Sequence, residues 1–210
     1  MTAIENSRFK VGASHTIGSY VLPGKLLDAI YQEAGQKIKL ILGSCEEIVH
    51  EIKTDILDIG FIEFPIYEDS LILKKWMEDE LVVCSTKELP STLTKEEIQN
   101  FRLISREKDS LAYAYVETFL KDENLSYDDF YAITEVDKPT AIIKSVLWAR
   151  PKPPLSTVAI VSKSSIEDES KQNKLHVSKI HNKTMKRNFY IVYKKDLAEK
   201  FDLSILDSKG

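Results

Sequence analysis

The sequence predicts an α/β fold built on a parallel sheet, and three stretches near its start carry that prediction. Apolar residues alternate through Phe9, Val11 and Ala13, which reads as a strand from Arg8 to Ala13. The same alternation recurs at Ile38, Leu40 and Leu42 between lysines, and Leu57-Asp58-Ile59-Gly60-Phe61 reads as a short buried strand. Between them, Leu22, Leu26, Ile30 and Ala34 keep helical spacing, and so do Ile48, Val49 and Ile52. Strand and helix alternating three times in about 60 residues imply parallel strands joined by right-handed crossovers.

Each element has its own local reason. Gly12 and Gly18 allow close turns around Ser14-His15-Thr16, and Pro23 suits the first turn of a helix running to Ala34. Gly35 is a natural stop for that helix. Ser44 followed three residues later by Glu47 is a capping-box signature, so Cys45 to Lys53 should be helical. Asp55 sits in a turn, where aspartate tolerates the left-handed conformation. Further along, Leu81 to Cys84 reads as a strand. Thr94 and Glu97 form a second capping box ahead of a helix to Asn100, and Phe101 to Ser105 is the next strand. A long helix is expected over Leu111 to Asn124 with Tyr115, Phe119 and Leu120 inward. Tyr131 to Val136 should then be strand, Pro139 to Ala149 helix, and Val158 to Val161 buried strand. Ser165 to Glu169 reads as a short helix, Phe189 to Tyr193 as a strand, and Leu197 to Leu206 as a closing helix.

The bulk properties exclude several classes. The chain has 210 residues, 43% of them hydrophobic, enough for one large domain or two small ones with a true core. Its 29 basic and 33 acidic residues leave a net charge of -4, which argues against this chain gripping nucleic acid by itself. Two cysteines, Cys45 and Cys84, make no disulfide framework and suit a reducing compartment. The first residues have no apolar core of a signal peptide, and no run is long enough to span a membrane, so the expected home is the cytoplasm without membrane attachment.

The candidate chemistry is that of binding. A strand ending in Ser14-His15-Thr16 ahead of a helix can hold a small anion on unpaired N–H groups. The plainer reading is that Ser14 or Thr16 caps the helix. Cys45 falls in the first turn of a helix, which lowers a thiol pKa, while Glu46 and Glu47 act the other way; Cys84 lies in an apolar strand. The four histidines, His15, His50, His176 and His181, form no close-spaced ligand pair, so no metal site is expected. The sequence lacks a Gly-x-Ser-x-Gly elbow, a phosphate-binding Gly-Lys-Ser/Thr loop and a dinucleotide fingerprint, so no catalytic residue and no cofactor is assigned. Lys183, Lys186 and Arg187 form the densest basic cluster and read as solvated surface.

Seven stretches in order resemble the effector-binding (regulatory) domain of LysR-type transcriptional regulators. They are Val11-Gly12-Ala13-Ser14-His15-Thr16-Ile17-Gly18 with Tyr20-Val21-Leu22-Pro23, Gly43-Ser44-Cys45-Glu46-Glu47-Ile48-Val49, and Leu57-Asp58-Ile59-Gly60-Phe61-Ile62-Glu63. Glu78 to Val83, Arg106-Glu107-Lys108-Asp109-Ser110, Ser165 to Glu169 and Arg187 to Tyr193 complete the set. The resemblance implies a two-lobed periplasmic-binding-protein-like fold, two α/β sandwich subdomains joined by a two-strand hinge. Residues 1–86 with 187–210 would form lobe I and 87–186 lobe II.

By that resemblance the chain senses a small-molecule effector in a cleft between the lobes. It would work as a homodimer or, in the full-length protein, a homotetramer, with helices Pro23–Ala34 and Leu111–Asn124 as candidate interface elements. Promoter DNA would be met by an N-terminal winged helix-turn-helix outside this chain. The ligand-binding candidates are Ser14, His15, Thr16, Ser44 and Glu63 from the first lobe and Arg106, Asp109, Ser110 and Lys138 from the second. Lys138 would favour an anionic effector, and Glu63 with Asp109 a cationic or zwitterionic one, so effector charge stays open. Other readings are a free-standing solute-binding protein of a transporter, and an enzyme on the same fold. The sequence departs from the family pattern at Arg150 to Thr157, where Pro151, Pro153 and Pro154 favour a stiff extended loop. It departs again at Lys138, where a Ser or Thr cap is usual and Asp137 could cap instead.

Overall fold

A computed structural model describes residues 8–150 and 155–207. In chain order the strands are β1 (Phe9–Ser14), β2 (Ile38–Gly43), β3 (Ile59–Ile62), β4 (Ile72–Ser85), β5 (Thr92–Leu93), β6 (Phe101–Ser105), β7 (Ala132–Glu135), β8 (Ser156–Ser162), β9 (His176–Ile180) and β10 (Met185–Tyr193). The α-helices are α1 (Lys25–Ala34), α2 (Cys45–Lys53), α3 (Lys95–Ile98), α4 (Leu111–Asp122), α5 (Pro139–Leu147) and α6 (Glu167–Lys171). Two compact units emerge. The first takes the chain up to Glu78 and from Asn188 onward, and the second is Asp79–Arg187. Strands β4 and β10 run through the two boundaries.

In the first unit the strand order is β2-β1-β3-β10. β1 is parallel to both neighbours, with Ser14 opposite Gly43 and Ala13 opposite Phe61, and β10 returns antiparallel to β3. The period-two alternation assigns each face to its own core. Val11, Ala13, Ile59, Phe61, Phe189 and Ile191 pack with Ile17, Leu22 and Ile30. Ile62 and Val192 pack instead with Ile48, Val49 and Ile52 of α2. Gly12 permits the close approach of that second layer, since a Cβ there would lie 2.3 Å from Leu57 Cδ1 and 2.8 Å from Ile48 Cδ1.

In the second unit the order is β4-β8-β6-β7. β6 is parallel to β7 and β8, and β4 is antiparallel to β8. Leu81, Val83, Leu103 and Val158 pack with Val116 and Leu120 of α4, and α5 buries Ile142, Ile143 and Val146.

Several expectations are corrected. The first long helix begins at Lys25, not Pro23, because Gly24 before it adopts φ +89°. A single wide helical turn, Ile17–Val21, precedes it, closed by Leu22 N donating to Ile17 O at 2.9 Å. Neither Gly12 nor Gly18 takes a left-handed turn; each gives room, and a Cβ on Gly18 would lie 1.9 Å from Leu42 Cδ2. The strand read as Leu81 to Cys84 starts at Ile72. Lys74-Lys75 and Glu78-Asp79-Glu80 hide that extension from an alternation test, because of these only Asp79 is buried and the others lie partly or fully exposed along the strand. The closing helix over Leu197 to Leu206 is two 3-10 turns, Lys195–Glu199 and Leu203–Leu206, split where Phe201 stacks on Phe9 with ring centroids 5.1 Å apart. Arg187, read as solvated, is buried at 6% exposure. Other local readings hold: the Ser44–Glu47 and Thr94–Glu97 capping boxes form, Gly35 ends α1 at φ +61°, and Asp55 is left-handed at φ +60°. Pro151, Pro153 and Pro154 of the proline-rich loop lie outside the described residues.

Candidate functional site

In the first unit the carboxyl ends of the parallel strands gather the sequence-predicted residues, as expected for ligand-binding α/β sheets. Ser14 is the last residue of β1 and pairs in register with Gly43, the last residue of β2. Ser44 follows directly, and Glu63 follows the last residue of β3. Three strand ends therefore bring Ser14-His15-Thr16, Ser44 and Glu63 to one edge.

The hydrogen bonds at this edge sort the groups into spent and unspent. Ser44 Oγ accepts from Glu47 N at 3.1 Å, and Glu47 Oε2 accepts from Ser44 N at 2.8 Å, so both ends of the N-cap are used within the protein. Thr16 N donates to Glu63 Oε1 at 3.2 Å, and both residues are buried, at 4% and 7% exposure. Thr16 stands at the head of the Ile17–Val21 turn but makes no side-chain cap there. Ser14 is 3% exposed, and its Oγ has no hydrogen-bond partner among the described residues. The simple capping reading of Ser14 and Thr16 is thus replaced by a buried, unsatisfied hydroxyl beside a carboxylate-closed turn. His15 is half-buried between them.

Cys45, the first residue of α2, lies against this edge. Burial first, and then the nearby Glu63 carboxylate, push its thiol up to about 12, against hydrogen bonding from the Phe64 and Glu63 main chain. Burial also pushes the Cys84 thiol up to about 12. Both are free cysteines held as thiols. The helix dipole at Cys45 is therefore outweighed by burial and by Glu63.

The second unit has its own carboxyl edge. Arg106 follows β6, half-buried, with Nη2 donating to Glu107 Oε1 at 3.0 Å and a buried Nε that has no partner among the described residues. Ser110 caps α4: its Oγ accepts from Tyr113 N at 3.1 Å and donates to Glu107 O at 2.8 Å. Asp109 is exposed. Lys138 follows β7, exposed and 3.7 Å from Asp137 Oδ2, and is itself the N-cap residue of α5, where no side chain makes the cap bond. Asp137 therefore does not cap. Of these four, only Arg106 keeps a buried donor unspent.

Sequence reasoning missed the buried cluster at the end of β8. Arg187 Nε donates to Asp79 Oδ2 at 2.8 Å, while Ser162 Oγ and Ser164 Oγ donate to Asp79 Oδ1 at 2.8 and 3.3 Å. In the sequence Arg187 stands beside Lys186 and Asn188 ahead of the apolar run Phe189 to Tyr193, so nothing local marks it as buried. Among the described residues, no group of three or more histidine, cysteine or acidic side chains could hold a metal ion, and no helix is long and apolar enough to cross a membrane.

A family model described as LysR substrate binding domain matches residues 3–201. The chain belongs to that family. HTH-type transcriptional regulator CysL of Bacillus subtilis (strain 168) is 30% identical over 131 residues, which cover 60% of this chain and 43% of that protein. The match thus spans less than half the length of this relative. The regulatory domain of Synechocystis PCC6803 CcmR in complex with 2-PG superposes with a TM-score of 0.71 at 18% identity, covering 94% of this chain and 91% of that one. The effector binding domain of QuiR in complex with shikimate gives 0.71 at 16% identity, covering 95% of each chain. At such identities these likenesses concern the fold, the two-lobed periplasmic-binding-protein-like arrangement of α/β subdomains.

Proposed function

We propose that this LysR-family domain is the effector sensor of a transcriptional regulator and not an enzyme. It binds a small metabolite through residues at the carboxyl ends of its strands and shifts the population of states that a DNA-binding domain reads. The observation that carries this reading is Ser14: a hydroxyl buried at the end of a parallel strand with no partner among the described residues. Unsatisfied buried polar groups call for an explanation, and a hydrogen bond to an effector supplies one here. Relatives whose fold this chain shares are described with 2-PG and shikimate bound, which supports a small-molecule effector in general without naming one. In the second unit Arg106, with its unspent buried Nε, is the proposed ligand contact, and Asp109, Ser110 and Lys138 are secondary to it.

The two units serve as the two lobes, and β4 and β10 as the hinge strands. The domain acts in the cytoplasm as a homodimer or homotetramer. Tyr31 on α1 is 55% exposed and Leu111 on α4 is 38% exposed, which suits both helices to subunit contact.

The test is a thermal-shift screen against small metabolites, with Ser14→Ala as control. A ligand at 100 times its dissociation constant stabilises by about 2.7 kcal/mol. The proposal expects such a hit to vanish in Ser14→Ala. Hits that persist unchanged in both Ser14→Ala and Arg106→Ala would refute it.

A further inference from the structure

The first unit's carboxyl edge has the parts of an anion site, yet two of its main-chain donors are already bonded to the protein's own carboxylates. A helix start with open N–H groups attracts negative charge. Here Thr16 N, at the head of the Ile17–Val21 turn, is bonded to Glu63 Oε1 at 3.2 Å. Ser44 N, at the head of α2, is bonded to Glu47 Oε2 at 2.8 Å. At these two amides the place a bound carboxylate or sulfate would take is occupied by the protein's own carboxylate.

The acids are also concentrated at this edge. Glu46 and Glu47 lie in the first turn of α2, and no basic residue does. Glu63 stands close enough to the first residue of α2 for its charge to raise the Cys45 thiol. A neutral group at this edge is the Ser14 hydroxyl, 3% exposed and without a partner among the described residues, able to donate one hydrogen bond and accept others.

We propose that Glu63 is a resident anion that closes this turn, so that the effector meets the first unit through an uncharged hydroxyl or carbonyl group at Ser14 Oγ and not through a carboxylate, sulfate or phosphate. Glu63 is then a specificity-determining residue. It excludes simple anions from the Thr16 main chain and leaves recognition to the neutral hydroxyl. This deepens the effector-sensor reading and rests on it.

The test uses sulfate and acetate as probes and the backbone amide signals of the chain as readout. In the wild-type protein the Thr16 and Ser44 amides should stay in place through a titration with either anion. In Glu63→Ala the Thr16 amide should move with sulfate, with an apparent affinity at least about tenfold tighter than wild type. Glu63→Gln keeps an acceptor for Thr16 N but removes the charge, and should show the same trend if the alanine variant does not fold. Movement of the wild-type Thr16 amide by sulfate, or an unresponsive Thr16 in every folded Glu63 variant, would overturn the proposal. The titration needs no knowledge of the effector, so it can fail while the effector reading stands. A simple carboxylate hit in the metabolite screen that disappears in Ser14→Ala would likewise overturn the assigned class and leave the sensor intact.

Discussion

Arg187 Nε lies 2.8 Å from Asp79 Oδ2, and these are the last and first residues of the second unit. The pair is dry, with side-chain exposures of 4% and 0%. It joins β4 and β10 at the points where each leaves that unit, and Ser162 and Ser164 tie it to the end of β8. Breaking one partner of a buried pair leaves an uncompensated charge and typically costs about 3–5 kcal/mol, whereas replacing both by apolar groups often costs little. Arg187→Met and Asp79→Leu should therefore each destabilise by roughly that amount in urea unfolding, and the double variant should recover much of the loss. Additive losses would show that the two side chains act independently.

Ser14→Ala should leave the ligand-free protein as stable as wild type or raise its stability by up to about 1 kcal/mol, because it removes a buried hydroxyl that makes no hydrogen bond. The same substitution should abolish effector stabilisation. A loss of more than about 1 kcal/mol without ligand would mean that the hydroxyl has a structural partner.

Ser44→Ala removes one half of a capping box and exposes the α2 start. It should cost about 1 kcal/mol by thermal or urea unfolding. Thr94→Ala breaks the equivalent box on α3, a helix of only four residues, and should cost less. Equal losses would indicate that α3 carries more of its unit's stability than its length suggests.

Cys45 and Cys84 give a signed pH dependence. Burial raises both thiols from 9.0 to about 12, so folding favours the neutral form. The unfolded chain loses these protons first as pH rises. The stability this contributes is whole below about pH 9 and falls progressively between about 9 and about 12. Urea unfolding at pH 7 and pH 10 should show the decline, and Cys84→Ala should flatten it. Both thiols should also resist a thiol-directed reagent at pH 8 until the protein is unfolded. Rapid reaction of Cys45 in the native protein would contradict its burial.

Gly12→Ala should destabilise by about 1–3 kcal/mol, since the new Cβ would meet Leu57 Cδ1 at 2.3 Å and force the α2 layer outward. Gly35→Ala meets no steric obstacle but must adopt φ +61°, so its cost is backbone strain alone. A Gly12→Ala protein as stable as wild type would show that this layer is not close-packed.

What the sequence determined by itself is the local order of the chain. Period-two runs at Phe9, Val11, Ala13 and at Ile38, Leu40, Leu42 became β1 and β2, because alternation forces one face inward. The two capping boxes and the left-handed Asp55 followed from side chains reaching only their own neighbours. Parallel strand ends then placed Ser14, Ser44 and Glu63 on one edge, so the candidate site of the first unit was readable as a set of residues. Only tertiary structure decided what those residues do. That Thr16 N belongs to Glu63, 47 positions away, and that Ser14 is left without a partner depend on the register of β1 against β3, which no local pattern encodes. The same holds for Arg187. Its charge reads as solvated surface until Asp79, 108 positions earlier, is brought to 2.8 Å and the pair is sealed from water. The balance of charge burial against pairing is a property of packing between distant segments, and packing is where sequence-local reasoning ends.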